Sequence, residues 1–262
     1  MAIAQNIKEA VPPVRSTGIW SDIRYFFINK PDKPTLIRFK SAEDRENYNK
    51  RIVQRFGIDP DKYSILNIHK VGVESPPSYV FDELLRWNGD STCWPNHIAK
   101  ISLVNNRLEN IRVLLFGRDK YPFGLKKSFL GLKLLPLFNM NAVRIKRIPD
   151  AFDFDNARYL LYECSGGYPI GIFFMYVRSS IEEMGETEQS QLFLAVGFNF
   201  YGREDWSKRF NIFGKLWQII HNRVTANVVT RIKQLAEWRL SVMQNQTKGQ
   251  KRSGIKPAKS GE

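Results

Sequence analysis

Hydrophobic and polar positions alternate over much of the chain between residues 63 and 202, and this alternation is typical of β-strands. The first predicted strand, at 63–73, is followed by six more strand candidates, which are separated mostly by turns rich in Asn, Gly, Asp and Glu. These six candidates span residues 101–106, 110–117, 141–149, 158–165, 169–179 and 191–202. Because most connections are short, successive strands are expected to be antiparallel neighbours.

Two segments carry apolar residues at helical spacing instead. Residues 75–87, SPPSYVFDELLRW, predict a short amphipathic helix directly after the first strand. The last predicted element begins near Asp205 or Gly214, runs to Met243 without a proline, and has one apolar stripe. The stripe consists of Trp217, Ile220, Val224, Val228, Ile232, Leu235 and Trp238. At about 1.5 Å of rise per residue, such a helix is long enough to cross a seven-stranded sheet.

Residues 1–62 predict an accessory segment with a short strand at 35–40 and a helix that begins at Ser41 and ends at Gly57. The apolar stripe of this helix consists of Tyr48, Ile52, Val53 and Phe56. Because the segment has few large aliphatic residues, we expect it to form a layer on the main domain. Residues 244–262 are polar, basic and rich in Gly and Ser, which predicts a disordered tail.

These patterns predict an α+β fold, in which a curved antiparallel sheet of about seven strands wraps around a long C-terminal helix. The domain with this architecture spans residues 63–243, and 43% apolar composition is enough to form its core. The longest apolar run, 170–177, is too short to cross a bilayer, and the N-terminus lacks the pattern of a signal peptide. The two cysteines have no CxxC spacing, which favours a reducing compartment and a cytoplasmic location.

The order of elements and one local phrase together resemble a known superfamily. The phrase is VGVESPPSYVFDELLRWNGDSTCWP, residues 71–95, in which an opening strand, a helix of the form PxxVFDxLxxW and a tryptophan-proline turn follow one another. Residues 63–243 thereby resemble the helix-grip superfamily, also called START-like or SRPBCC. It includes START lipid-transfer domains, the birch-pollen allergen type and polyketide cyclases. The resemblance implies a cavity between the sheet and the C-terminal helix, but it identifies neither a subfamily nor a ligand.

A hydrophobic ligand is the partner that this resemblance implies. The side chains expected to line the cavity are Phe174, Tyr176, Val196, Phe198 and Trp217. His221 or Asn227 of the long helix is expected to contact a polar group of the ligand. In the alternative interpretation the same apolar side chains fill a core, His221 is a satisfied core histidine, and Arg231 is solvated.

The connection from Arg118 to Arg147 is unusually long and combines basic with apolar residues: it has eight basic residues and one acidic residue. This combination suits the surface of an anionic membrane, where apolar burial and charge attraction add together. The residues expected to contact the membrane are Phe123, Lys126, Lys127, Phe129 and Lys133. In the alternative, the leucines of this segment cover an open end of the sheet and the lysines are solvated.

Metal ions and cofactors are not expected. The chain has three histidines, His69, His97 and His221. They show neither HxxxH nor HxH spacing, and the hydrolase and nucleotide-binding motifs are absent from the sequence. Asp150, Asp153 and Asp155 lack the closing glutamate of a calcium loop, so we interpret them as part of a turn. The sequence therefore assigns no catalytic residue and no metal ligand.

The leading hypothesis is noncatalytic binding or transfer of a lipid or similar molecule, at the surface of an anionic membrane. A cyclase-type or hydrolase-type enzyme is the alternative, in which His221 works with Tyr162 or Tyr176. A protein-interaction or assembly factor is the third hypothesis, although the sequence indicates no particular protein partner. The net charge of +14 also suits nucleic acid, but no motif for specific binding of RNA or DNA accompanies it.

Overall fold

The computed structural model describes nine ranges of the chain, from which the elements are defined. The ranges are 34–63, 65–85, 99–104, 107–115, 139–145, 152–165, 170–180, 189–198 and 211–252. The strands are β1 (Ile65–Val73), β2 (Ala99–Val104), β3 (Arg107–Leu115), β4 (Asn139–Arg144), β5 (Ala157–Ser165), β6 (Ile170–Ser179) and β7 (Ser190–Phe198). The helices are α1 (Ala42–Ile52), α2 (Pro77–Leu85) and α3 (Asn211–Arg252).

All of these strands belong to one antiparallel sheet, in the order β1-β7-β6-β5-β4-β3-β2. Strands β2 to β7 follow one another along both the chain and the sheet, whereas β1 lies beside β7 at the far edge. His69 of β1 pairs with Leu194 of β7, and Val196 of β7 pairs with Phe173 of β6. The predicted seven-stranded sheet with a long C-terminal helix is confirmed, and its topology agrees with the resemblance to the helix-grip superfamily.

Strands β1, β5, β6 and β7 bury side chains on both faces of the sheet, and successive residues of a strand point to opposite sides. The inner face packs against α2 and α3. Its strand residues in this inner cluster are Val73, Leu160, Tyr162, Phe173, Met175, Val177, Leu192, Leu194 and Val196. The outer face packs against residues 52–58. Its strand residues in this outer cluster are Leu66, Ile68, Ala157, Leu161, Ile172, Phe174, Tyr176, Phe193 and Ala195.

Helix α1 and the turn after it form under the local signals seen in the sequence. Ser41 caps the helix, since its hydroxyl oxygen accepts a hydrogen bond from the backbone N–H of Asp44 at 3.0 Å. Gly57 ends the following turn with φ at 70°, a left-handed conformation that favours glycine. The predicted start is confirmed, whereas the α-helix ends at Ile52 and a 3-10 turn, Gln54–Phe56, leads to Gly57.

Phe56 attaches this N-terminal layer to the outer face. It is buried, and its ring centroid lies 5.2 to 5.4 Å from the rings of Tyr159, Phe174 and Tyr176. Edge-to-face and tilted contacts at this spacing stabilise aromatic clusters beyond the burial of area alone. The segment thus covers part of the sheet, while the division of the chain at residue 62 stays a prediction.

The predicted strand at 35–40 is reduced to a single β-bridge between Leu36 and His69. Beside the bridge, the backbone N–H of Ile37 donates to the carbonyl of Ile68 at 2.9 Å. Because β7 occupies the other side of β1, this bridge lies on the outermost edge of the sheet.

Helix α3 runs alongside β1 on the inner face. The Lys233 ammonium donates to the carbonyl of Gly72 at 2.7 Å, and the Glu237 carboxylate accepts from the backbone N–H of Glu74 at 2.8 Å. Lys233 and Glu237 also form an ion pair of 2.7 Å with each other, one helical turn apart. These contacts tie the middle of α3 to the end of β1.

A buried ion pair joins α2 to α3. The carboxylate of Glu83 and the guanidinium of Arg239 are in contact, and their side chains are 3% and 10% exposed. Because both side chains are buried, each charge has lost most of its hydration and is stabilised by the opposite charge of its partner instead. The pair therefore fixes α2 against the second half of α3.

The C-terminal helix is longer than the sequence predicted. It continues nine residues past Met243 to Arg252, so the expectation of disorder is wrong for 244–252. Extending an existing helix requires no new nucleation, and Gln, Lys and Arg have good helix propensity. The hydroxyl of Thr247 also donates to the carbonyl of Met243 at 3.0 Å. Residues 253–262 lie outside the described ranges.

Candidate functional site

The region between the sheet and α3 is the predicted ligand cavity, and side chains fill its described part. The rings of Tyr162 and Phe173 stack with centroids 4.8 Å apart, and both residues are buried. Val196, a predicted ligand contact, is buried in the same inner cluster as Val228 of α3. Within the described ranges this interior is therefore a packed hydrophobic core around the helix.

Phe174 and Tyr176 lie on the outer face, which corrects their predicted place in the interior. Both belong to the outer cluster, where they contact Phe56. Residues 172–177 are all buried, so β6 offers no polar residue that marks which positions face α3. Shifting the assignment by one residue exchanges the two faces of a strand. Tyr176 is on the outer face of the sheet and α3 packs on the inner face. The predicted catalytic pairing of His221 with Tyr176 in one cavity is therefore wrong.

Several predicted contacts remain without a described side chain. Phe198 and Trp217 lie in β7 and α3, but only their backbone is described. The predicted membrane contacts lie entirely outside the described ranges and stay predictions. These are Phe123, Lys126, Lys127, Phe129 and Lys133. Within the described ranges, no helix combines the length and the apolar character needed to cross a membrane.

Helix α3 carries buried polar side chains beside its apolar stripe. His221 is 6% exposed, and loss of hydration lowers the pKa of its imidazole to about 4, so the ring is neutral at pH 7. Asn227 is 9% exposed, and its Nδ2 has no hydrogen-bond partner among the described residues. Arg231, one turn further along, is 8% exposed, which corrects the expectation that it is solvated. Buried polar side chains therefore lie next to the hydrophobic core along this helix.

A chain of hydrogen bonds joins the N-terminal layer, β1 and α3. Oγ1 of Thr35 lies 2.8 Å from Nδ1 of His69, and Nε2 of His69 lies 3.2 Å from Oδ1 of Asn222. Asn67 donates to the same Oδ1 at 2.8 Å and accepts from Gln218 at 3.0 Å. Because an amide oxygen only accepts, Nε2 of His69 carries the proton and Nδ1 accepts from the Thr35 hydroxyl.

His69 is neutral in this chain, since burial lowers its pKa to about 4 against the opposing hydrogen bond to Asn222. The sequence analysis missed this arrangement. The available signal was two polar residues two positions apart on β1, Asn67 and His69, which therefore share one face of the strand. Gln218 and Asn222, four positions apart on α3, likewise share one side of the helix.

A cavity of about 840 Å³ lies at the N-terminal layer, where the sequence analysis predicted none. It is bounded by α1, residues 36–39 and the first half of β1. Its lining residues are Leu36, Ile37, Arg38, Phe39, Ser41, Ala42, Arg45, Glu46, Asn49, Lys50, Pro60, Asp61, Tyr63, Leu66, Asn67 and Ile68. No buried member of the inner cluster lines it, so this cavity is distinct from the predicted interior.

Asp153 and Asp155 form a turn before β5, as the sequence suggested, whereas Asp150 lies outside the described ranges. The carboxylate of Asp153 accepts hydrogen bonds from the backbone N–H groups of Asp155 at 2.9 Å and Asn156 at 3.2 Å. These bonds, together with one from the Asn156 side chain, lower the pKa of Asp153. No group of three or more His, Cys, Asp or Glu side chains suited to a metal ion occurs in the nine described ranges.

No protein-family model matches the chain, and no curated protein matches it in sequence. Among solved structures, the protein XoxI from Bacillus cereus is 12% identical with a TM-score of 0.34, over 64% of this chain and 95% of its own. A Polyketide_cyc-like protein from Corynebacterium glutamicum is 12% identical with a TM-score of 0.34, over 67% and 93%. Truncated Norcoclaurine Synthase from Thalictrum flavum is 9% identical with a TM-score of 0.30, over 65% and 92%. At these TM-scores the similarities carry no argument about function.

Proposed function

We propose that this chain binds a hydrophobic small molecule, without transforming it, between the inner face of the sheet and α3, beside Asn227 and next to the part of the interior that the inner cluster fills. The binding domain corresponds to the region from residue 63 to the C-terminal helix. The ligand has an apolar body and one oxygen acceptor, and the acceptor takes a hydrogen bond from Nδ2 of Asn227. Fatty acids and related lipids have this chemistry.

The unpartnered amide of Asn227 is the observation that carries the proposal. A buried N–H donor that has exchanged water for no acceptor costs about 1 to 3 kcal/mol. Such a group is rare in a folded protein, and an oxygen of a bound molecule would satisfy it. A carboxylate or carbonyl oxygen is an acceptor of this kind.

The protonation state of His221 favours ligand binding over acid-base catalysis. An efficient general base has a pKa near the working pH, whereas burial lowers the pKa of His221 to about 4. Its imidazole is therefore a weak base at pH 7. Tyr162, the remaining tyrosine of the enzyme hypothesis, is buried in the inner cluster and stacked on Phe173. A polar ring nitrogen that stays neutral suits recognition of a ligand better than proton transfer.

Replacing Asn227 with leucine tests the binding proposal. With cis-parinaric acid as the probe, which has a carboxylate and a fluorescent polyene chain, we expect the Asn227→Leu variant to bind roughly tenfold to 100-fold more weakly. Without the probe, the variant is expected to be at least as stable as the parent, because an unsatisfied buried donor has been removed. Fluorescence titration and urea unfolding measure the two effects.

The matched control is Asn245→Leu, which makes the same chemical change at an exposed position of the same helix. It is expected to leave the titration unchanged. Saturable binding that is equal in the parent and in Asn227→Leu would contradict the assignment of the acceptor to Asn227. Failure of the parent to bind the probe, together with no co-purified lipid in an organic extract examined by mass spectrometry, would favour the interaction-protein hypothesis.

We further propose that the basic and apolar segment between Arg118 and Arg147 brings the chain to an anionic membrane. Its eight basic residues against one acidic residue support this docking, because each Lys or Arg near such a surface contributes about 1 kcal/mol. Changing Lys126, Lys127 and Lys133 to Glu is therefore expected to lower partitioning roughly 100-fold or more. Co-sedimentation with phosphatidylcholine vesicles, with and without phosphatidylserine, measures the partitioning.

The control for net charge changes three basic residues outside this segment. Lys251, Lys256 and Lys259 changed to Glu give the same total charge, and we expect a much smaller loss of binding. Equal losses in both triple variants would show that the total charge, and not the segment, attracts the chain to vesicles. No binding by the parent would also refute the docking proposal.

A further inference from the structure

We propose that the cavity beside α1 is a second ligand site, which takes a small amphipathic anion with an apolar ring or chain and one N–H or O–H donor. This inference is independent of the proposed function, because the cavity is distinct from the inner cluster. It rests on the size and lining of the cavity, on a buried acceptor without a partner, and on the basic groups around it.

The cavity has the dimensions and the apolar wall of a ligand site. Its volume of about 840 Å³ falls within the range of roughly 300 to 1,000 Å³ that is usual for small-molecule pockets. The apolar wall is formed by side chains of the N-terminal layer and of β1. These are Leu36, Ile37, Phe39, Tyr63, Leu66 and Ile68. Such a wall favours an apolar body on the ligand.

Asn49 of α1 provides the unexplained polar group. It is 6% exposed, and its Oδ1 is buried without a hydrogen-bond partner in the part of the chain that the structure describes. Its position continues the helical spacing of Ile52, Val53 and Phe56, all of which are buried in the outer cluster. An apolar residue is expected at such a position, so a buried Oδ1 without a donor supports a ligand that supplies one.

Three basic residues and two acidic ones, Glu46 and Asp61, line the cavity, so the balance of charge favours a negative charge on the ligand. Arg45 lines it and uses one donor of its guanidinium in a hydrogen bond of 3.1 Å to the carbonyl of Leu66. A guanidinium has five N–H donors, so others remain for an anion. Arg38 also lines the cavity and makes no ion pair within the described ranges. Lys50 is paired with Glu46, and the two charges offset each other.

The dye 8-anilinonaphthalene-1-sulfonate is a suitable probe, because it has an aromatic body, a sulfonate and one N–H donor. The Asn49→Leu variant is expected to bind the dye roughly tenfold more weakly than the parent, since the acceptor for the N–H is removed. In the absence of dye, its urea midpoint is expected to stay the same or to rise. A purely structural asparagine would not produce this combination of weaker binding and undiminished stability.

Two more variants give the test its controls. Asn47→Leu makes the same change at an exposed position of α1 and is expected to leave dye binding unchanged. Ala42→Phe fills part of the cavity from an exposed helix position, so it is expected to weaken binding at least roughly tenfold without disturbing the core. The proposal is overturned if the parent shows no saturable binding, or if Asn49→Leu and Ala42→Phe bind as the parent does.

The outcome also separates this site from the interior site. The proposal predicts that Asn227→Leu binds the dye as the parent does, whereas Asn49→Leu leaves the titration with cis-parinaric acid unchanged. If Asn227→Leu abolishes dye binding and Asn49→Leu retains it, the dye lies in the interior. That result would overturn the second site and leave the proposed function intact.

Discussion

Replacing Glu83 with alanine is expected to lower the free energy of unfolding by about 3 to 5 kcal/mol. The substitution leaves Arg239 with a charge that is mostly buried and lacks its carboxylate partner. Removing one member of a buried pair is costly because the other member does not regain its hydration. Urea unfolding of the parent and of Glu83→Ala, followed by circular dichroism, measures the loss.

Helix α1 has an exposed ion pair, which serves as a comparison with the buried pair. Glu46 and Lys50 form an exposed ion pair, and Glu46→Ala is expected to leave the unfolding midpoint nearly unchanged. The double variant Glu83→Leu with Arg239→Met is expected to recover most of the stability, because two apolar side chains replace both charges. A loss for Glu83→Ala below about 1 kcal/mol would show that the buried pair does not hold α2 against α3.

Lowering the pH from about 7 to about 4 is expected to remove roughly 6 kcal/mol of stability through two buried histidines. His69 and His221 have a pKa of about 4 in the folded chain, against 6.5 in the ordinary state that applies after unfolding. Between these values the unfolded chain binds more protons, so acid favours unfolding. Each histidine contributes roughly 3 kcal/mol, fully present above about pH 6.5 and lost as the pH falls toward 4.

Variants without the ionisable rings separate this effect from the titration of carboxylates. Unfolding in urea is measured at several pH values for the parent, His69→Gln, His221→Gln and the double variant. Each single variant is expected to show about half of the histidine-dependent loss. The explanation fails if the double variant loses as much stability as the parent over the same interval.

The sequence was sufficient to predict the sheet and the long helix, because the spacing of apolar residues that is typical of strands and of helices is a local property of the chain. The N-terminal helix was equally predictable, since Ser41 and Gly57 act on their immediate neighbours. The face of β6 was not predictable. Phe173 and Phe174 are consecutive residues of β6, and both are buried, one on each face of the sheet. Their hydrophobicity therefore does not reveal which of them packs against α3.

The candidate sites depend on contacts between distant parts of the chain. Asn67 and Asn222, which are 155 positions apart, meet only after β1 has joined the sheet edge beside α3. Asn49 looked like an ordinary polar residue of an exposed helix until the position of α1 against β1 was known. Local patterns contain no information on such pairs, which explains why the roles of Asn49, Asn67 and His69 were found only in the structure.

The bridge between Leu36 and His69 covers part of the outer edge of β1. The exposed border of a sheet presents unpaired N–H and carbonyl groups, which are a template for a strand from another molecule. Here the carbonyl of Thr35 accepts from the N–H of Lys70 at 2.8 Å, next to the bond between Ile37 and Ile68. Residues 35–37 thereby occupy the centre of this border and leave fewer free N–H and carbonyl groups for a strand from another molecule.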